Sequence, residues 1–286
     1  MRISKNNSSV GTKMNFFIDH ELIFLGTGGG RVHSSTQHRK TGGIIYVFNS
    51  KQVHIDPGPG AIVYLNKMKI DRFKTKWVIV THNHTDHQND VPIIVESMHK
   101  SLSIPIGTLI STQDYILSLN VYYRNLLTEI IPFMAGKSVQ LDTHTLLQAT
   151  KVDHGSTEGF GLIFYQQDPA GLSKSYQIGF TSDTEIYNEF GETYKNLDIL
   201  VANVLRPSNK VCRHHACVDE LIPALKDAKP KVCVLTHFGA LFDSPDSTED
   251  LIGDQVKYMQ KSIGGATKII AAEDGMHLYL KDLMNV

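Results

Sequence analysis

Thr81-His82-Asn83-His84-Thr85-Asp86-His87 is the stretch on which the reading of this chain turns. It sets three imidazoles and a carboxylate within six positions. Such donors converge more usefully on a cation than on one another, so the stretch reads as metal-binding. Trp77-Val78-Ile79-Val80 before it has the composition of a buried strand, and Val91-Pro92-Ile93-Ile94-Val95-Glu96 after it reads as the body of a helix. The cluster therefore occupies a strand-to-helix loop, at the sheet edge where α/β folds place ligands. A capped helix start would account for Thr85 and Asp86, and scattered surface histidines for one or two others. Neither requires His82 and His84 to share one side of an extended segment with His87 just beyond.

The His-x-His-x-Asp-His pattern resembles the metallo-β-lactamase superfamily, and that superfamily's other signatures recur in order across most of the chain. His154-Gly155 follows Val152-Asp153, Asp183 follows the strand-like Tyr176 to Ser182, and His237 follows Lys231 to Thr236 and precedes Phe238-Gly239. Upstream, the strand Gln52-Val53-His54-Ile55 ends in Asp56-Pro57-Gly58-Pro59-Gly60, which is similar to the superfamily's first motif. The resemblance implies an α/β fold of the four-layer αβ/βα sandwich type with a metal groove along one edge of its sheets. It also implies a ligand set: His82, His84 and His154 for one metal, Asp86, His87 and His237 for the second, and Asp183 bridging. Asp56 would stand outside the ligands and accept a hydrogen bond from one of their imidazoles.

Two divalent cations about 3.5 to 4 Å apart share a hydroxide, lower its pKa and stabilise charge on the substrate and leaving group, which is hydrolytic chemistry. Imidazole-rich ligation favours Zn²⁺, although Mn²⁺ and Fe²⁺ accept the same nitrogen and oxygen set. Di-iron relatives usually carry an acidic residue in place of the second histidine, so His84 points to zinc.

The substrate question rests on Arg206 to Cys217. His215 lies between Asp183 and His237, just before a helix through Glu220, Leu221 and Leu225. In ribonuclease Z and the related cyclic-phosphate phosphodiesterases, a histidine at this point that is not a ligand acts on the scissile phosphate. Ala216 and Cys217 stand where those families tend to have Ser and Thr, so the local match is partial. Asp86 and His215 are thus the candidate catalytic residues, and the expected activity is that of a phosphodiesterase on a nucleotide or cyclic phosphodiester. No basic, glycine-rich arm for gripping transfer RNA is evident, which favours a small substrate over a long RNA. A ribonuclease Z-like endonuclease and a lactone or thioester hydrolase are the alternatives, and a binding module that retained the fold is a third reading opposed by the intact ligand set.

Composition frames these expectations. The chain has 286 residues, 41% hydrophobic and 20% charged, with a net charge of -1, as expected of an ordinary globular protein with no general surface for polyanions, which leaves room for a local basic or metal-rich cleft. Residues 1–13 read as a flexible polar tail and 14–286 as a single domain. The tail lacks the apolar core of a signal peptide and no later run is long enough to span a membrane, so the cytoplasm is the expected location. Cys212, Cys217 and Cys233 cannot all pair, consistent with a reducing compartment. Cys212 and Cys217 flank His214 and His215, but their spacing matches no zinc-finger framework, and they read as plain thiols.

Elsewhere, Leu22 to Leu25, Gly43 to Phe48, Ile106 to Ile110, Leu146 to Val152, Leu162 to Tyr165, Tyr176 to Phe180, Ile199 to Val204 and Lys231 to Leu235 are expected strands. Helices are expected over Ala61 to Met68, Thr112 to Leu119, Val218 to Ala228, Ser247 to Ser262 and Glu185 to Phe190. Gly26-Thr27-Gly28-Gly29-Gly30 reads as a turn that lets backbone approach a metal site, followed by a polar loop in which Arg39 and Lys40 could meet an anionic substrate or equally well stand in solvent. Ser101 to Lys137 is the least legible region. Its Tyr115, Tyr122, Tyr123, Phe133 and Met134 suit ordinary core packing better than a lid or homodimer face.

Overall fold

The computed structural model describes residues 20–167, 175–243 and 250–284. The expected tail, residues 1–13, and the start of the expected helix at 247 lie outside these residues. Six strands build the first sheet in chain order: β1 (Glu21–Phe24), β2 (Ile44–Phe48), β3 (Lys51–Ile55), β4 (Thr75–Val80), β5 (Thr108–Ser111) and β6 (Glu129–Pro132). The second sheet follows with β7 (Ser138–Asp142), β8 (Thr145–Thr150), β9 (Gly161–Gln166), β10 (Tyr176–Phe180), β11 (Ile199–Asn203), β12 (Val232–Thr236) and β13 (Lys268–Ala271). The chain then returns as β14 (His277–Tyr279), which pairs with β1 and completes a seven-stranded first sheet.

Each sheet is antiparallel over one part and parallel over the other. β3 to β6 run parallel in the first sheet, and β10 to β13 in the second. Parallel strands all end on one edge, so the loops that leave them gather at one end of the sheet.

Alternation along the strands sorts side chains into separate cores. Trp77 and Ile79 of β4 point between the sheets, where they join Phe24, Tyr46, Phe48, Phe164, Ile178 and Phe180. Val78 and Val80 point the other way, toward α2 (Ala61–Lys67), α4 (Val91–Ser97) and α5 (Gln113–Ser118). The second sheet presents its outer face, with Ile163, Leu200 and Leu235, to α7 (Phe190–Thr193), α8 (Val218–Ala228) and α9 (Leu251–Ile263). Three cores separated by two sheets make the expected four layers. The remaining helices are short: α1 (Gly30–Thr36), α3 (Thr85–Gln88), α6 (Val121–Asn125) and α10 (Leu280–Met284).

Some local expectations are corrected. The polar segment after the glycine turn forms α1, whose exposed residues have no apolar periodicity to betray a helix. Glu185 to Glu189 is not helical and the helix starts only at Phe190, while the Glu185 N–H donates to the Asp153 carbonyl and ties this segment to the loop after β8. Within Ser101 to Lys137, Tyr115 and Phe133 are buried whereas Tyr122 and Met134 are exposed, so core packing accounts for only part of that aromatic set. Among the described residues no helix is long and apolar enough to cross a membrane.

His54, fully buried in β3, donates from Nε2 to the Gly42 carbonyl at 2.9 Å. Burial pushes its pKa down to about 4, opposed by that hydrogen bond and by Asp56. The unfolded chain takes up the proton near pH 6.5 and the folded protein refuses it, so stability is full above pH 6.5 and falls as pH drops toward 4. In urea unfolding, the wild type should lose about 3 kcal/mol more than His54→Gln between pH 7 and pH 4; equal losses would show that folded His54 takes up its proton as readily as the unfolded chain does.

Candidate metal centre

The carboxyl ends of β3, β4, β10, β11 and β12 meet at one edge of the two sheets, and every predicted site residue except His154 and His215 leaves one of these ends. Asp56 follows β3, His82 to His87 follow β4, Asp183 follows β10 and His237 follows β12. His154 arrives from the loop after β8, and His215 from the loop between β11 and α8.

Three imidazoles form the first group. His84 Nδ1 lies 3.0 Å from His82 Nε2 and 3.1 Å from His154 Nε2. His154 Nδ1 donates to the His214 carbonyl at 2.7 Å, which fixes its proton there and leaves Nε2 as a lone pair facing the other rings. Burial keeps both His82 and His84 below the usual histidine pKa, with His87 adding to the effect at His82 and His154 at His84. Neutral rings with converging lone pairs cannot all be satisfied by one another's protons.

The second group is His87, Asp86, His237 and Asp183. His87 Nε2 is 3.1 Å from His237 Nε2, 3.4 Å from Asp183 Oδ2 and 3.6 Å from Asp86 Oδ2. His237 Nε2 is 3.3 Å from Asp86 Oδ2 and 3.4 Å from Asp183 Oδ1. Burial opposes ionisation of Asp183, but His237 and His87 outweigh it and hold the carboxyl well below its usual range. The same contest at Asp86, with His87 ahead of His237, also ends below the usual range. His87 is buried too, yet Asp183, Asp86 and Asp56 together raise its pKa well above that of an ordinary histidine. The cluster therefore calls for positive charge at its centre, and its nitrogen and oxygen donors suit divalent cations.

Asp183 lies between the groups. It reaches the second as described, and its Oδ2 is also 3.9 Å from His82 Nε2 in the first. Asp56 occupies the predicted place: its Oδ2 accepts from His87 Nδ1 at 2.9 Å, and its two oxygens take the Thr81 N–H and hydroxyl at 2.7 and 2.8 Å.

Other supports were not named from sequence. Gly30 N–H donates to Asp86 Oδ2 at 2.7 Å, Asn203 Nδ2 donates to Asp183 Oδ1 at 2.8 Å, and the Ser182 hydroxyl donates to that of Thr81 at 2.7 Å. The His237 ring lies so close to Gly29 that a Cβ there would meet its Nδ1 at 2.2 Å, which explains one glycine of the turn. Asn203 ends a strand at the carboxyl edge, a positional signal that could have found it. Backbone donors and the His214 carbonyl have no side-chain signature. Asp56, Ser182, His214 and His237 all have φ between 51° and 67°, a left-handed conformation that costs non-glycine residues about 1 kcal/mol or more each.

His215 belongs to neither group, yet with His154 and Asp183 it makes a third set of donor atoms within 4.8 Å of one another. Its Nδ1 is 3.4 Å from Asp183 Oδ2, and burial pushes its pKa down to about 4 against the pull of Asp183. It lines an open cleft of about 950 Å³ together with His84, Asp86 and Asp183. Arg39 and Lys40, read from sequence as either substrate contacts or solvated loop residues, are engaged in ion pairs. Arg39 Nε and Nη2 grip Asp243 at 2.5 and 2.6 Å, and Lys40 Nζ is 3.5 Å from Asp274. The cysteines are free thiols, with Cys217 and Cys233 buried.

Comparisons with known proteins agree with this fold. A family model described as a beta-lactamase superfamily domain matches residues 51–238. An uncharacterized protein of Methanocaldococcus jannaschii is 34% identical over 242 residues, covering 81% of this chain and 88% of that protein. Ribonuclease Z of Borreliella burgdorferi is 29% identical over 161 residues, and the match spans 52% of this chain and about half of that enzyme, 49%. The metallo-β-lactamase fold protein YhfI from Bacillus subtilis superposes with a TM-score of 0.72 at 17% identity, covering 91% of this chain and 99% of that one.

Asp183→Ala should abolish tight binding of metal in both groups, while Asp56→Ala should weaken it about 10- to 100-fold and leave the fold intact. Elemental analysis with chelator competition measures both. Two tightly held ions in Asp183→Ala would show that the groups are independent.

Proposed function

This chain belongs to the metallo-β-lactamase superfamily, in the branch that contains ribonuclease Z, and from that premise we propose that it is a two-metal phosphodiesterase acting on a nucleotide or cyclic phosphodiester. The coarser conclusion, a metal-dependent hydrolase fold, is common to its relatives. In this proposal His82, His84 and His154 hold one cation, Asp86, His87 and His237 the other, and Asp183 both. Zinc suits the imidazole-rich set best. When bound, the cations supply activation of water and neutralisation of the phosphoryl oxygens.

The observation that carries the reading is His215, an imidazole beside the central carboxylate and facing the cleft. A thioester expels a weakly basic thiolate and needs no such group, whereas an alkoxide leaving a phosphodiester, like the ring alkoxide of a lactone, needs a proton. Free His215 is neutral at pH 7, and an anionic phosphoryl group set against it favours the charged form, so the proton becomes available where the leaving group departs. Glu185 braces the turn that aims this ring: it accepts from the His214 N–H, and its Oε1 is 3.5 Å from His214 Nδ1. Asp86, at the cleft wall, orients the attacking water as well as binding metal. Similarity to ribonuclease Z supports a second reading, an RNA endonuclease of the same chemistry.

His215→Ala should retain its metal and lose about 10²- to 10⁴-fold in rate on a 2′,3′-cyclic nucleotide, but much less on bis-p-nitrophenyl phosphate, whose phenolate leaves without a proton. Equal losses on both would assign His215 to substrate orientation. Efficient hydrolysis of a lactone or thioester with phosphodiesters untouched would overturn the proposal, and preference for a precursor transfer RNA would select the endonuclease reading.

A further inference from the structure

The cleft carries a charge pattern that the hydrolytic step does not use. Besides Asp86, Asp183, His84 and His215 at the centre, its charged lining residues are Arg31, Arg206 and Arg213, with no lysine and no further carboxylate. These are three of only seven arginines in a chain whose net charge is -1. Among the described residues none of the three forms an ion pair, whereas Arg39, also close to α1 in sequence, is held bidentately by Asp243.

Their placement ties them to the reacting end of the cleft. Arg31 follows Gly30, the residue whose N–H holds Asp86. Arg206 and Arg213 belong to the same folded loop as His215, in which Arg206 bridges to Cys217 and Cys212 to His215. The loop is further fixed where the Glu220 side chain accepts from the Cys217 N–H at 3.0 Å, at the start of α8. Three unpaired guanidinium groups around one cleft repel one another, and an anion between them relieves that repulsion. Guanidinium groups also match phosphate geometry with paired donors, which lysine does not.

We infer that Arg31, Arg206 and Arg213 form a subsite for a second phosphoryl group, distinct from the diester that is cleaved. The preferred substrate is then a nucleotide diester bearing a further phosphate, and a cleft of about 950 Å³ has room for a ligand of that size. The inference rests on the phosphodiesterase reading for which bond is cleaved, but not for what the arginines bind.

Calorimetric binding of product-like ligands to the metal-loaded protein tests it without turnover. Adenosine 3′,5′-bisphosphate should bind about 10- to 100-fold more tightly than adenosine 3′-monophosphate, as expected for charge-assisted hydrogen bonds to one added phosphate. That ratio should fall toward one in Arg206→Gln/Arg213→Gln and in Arg31→Gln, with thermal unfolding as the check that the variants fold. Adenylyl-adenosine 3′-phosphate separates two sources of the second phosphate: an equal gain marks the next link of a chain, and a gain confined to the bisphosphate marks a terminal group. A ratio near one in the wild type, or one that survives the substitutions, overturns the inference. Turnover of bis-p-nitrophenyl phosphate, measured separately, reports on the phosphodiesterase reading alone.

Discussion

A carboxylate only 2% exposed, with imidazole nitrogens of His87, His215 and His237 at 3.4 Å and of His82 at 3.9 Å, is the constraint around which the molecule is arranged. Burying Asp183 would be expensive without positive charge nearby, and among the described residues its other hydrogen bond comes from the neutral amide of Asn203. The surrounding nitrogens come from the ends of β4 and β12 and from the loop before α8, so both sheets must be in place before the carboxylate is compensated. The packing of Trp77, Ile79, Phe164 and Ile178 between the sheets thus does more than bury apolar area: it sets the separation at which the two halves of the centre meet.

Asp56 shows how that separation is held locally. One carboxylate ties the first turn after β4 through Thr81 and fixes the tautomer of His87, while Ser182 reaches Thr81 from the opposite sheet. The chain between the sheets is thereby stapled through hydroxyl and carboxylate groups at the level of the ligands. The left-handed backbone of Asp56, Ser182, His214 and His237 is the counterpart of this order. Each of these conformations is unfavourable alone, and each points a side chain or carbonyl at the centre, so packing elsewhere must offset the strain.

The parts of this arrangement legible in the sequence were those written in side chains at short spacing. His82 to His87 is contiguous, and the strands have the β-branched, apolar composition that survives burial on both faces. Tyr176–Phe180 and Val218–Ala228 fall where the pattern places them. What could not be read was written in backbone or in distant pairing. The Gly30 N–H and His214 carbonyl leave no mark in a one-letter code, and α1 is too exposed to show a periodic apolar face. The ion pairs of Arg39 and Lys40 could not be foreseen because their partners, Asp243 and Asp274, lie more than 200 positions away.

Net charge averages over the whole surface what the fold distributes unequally. A value of -1 argued against a general polyanion-binding surface and left room for a local basic cleft. Arg39 is neutralised by Asp243, Lys51 by Asp142 at 2.9 Å and Lys231 by Asp198 at 2.6 Å, and carboxylates so occupied cannot offset the arginines of the cleft. Field lines from those arginines are confined between low-dielectric walls and act on whatever enters, so the local sign matters more than the sum. The same residues would repel a cationic substrate and leave a neutral one largely unaffected, but would hold an anion in register with His215 and the metal ligands. Orientation of that kind converts binding energy into rate at the bond being cleaved, which is why the charge pattern of the cleft bears on mechanism as well as on affinity.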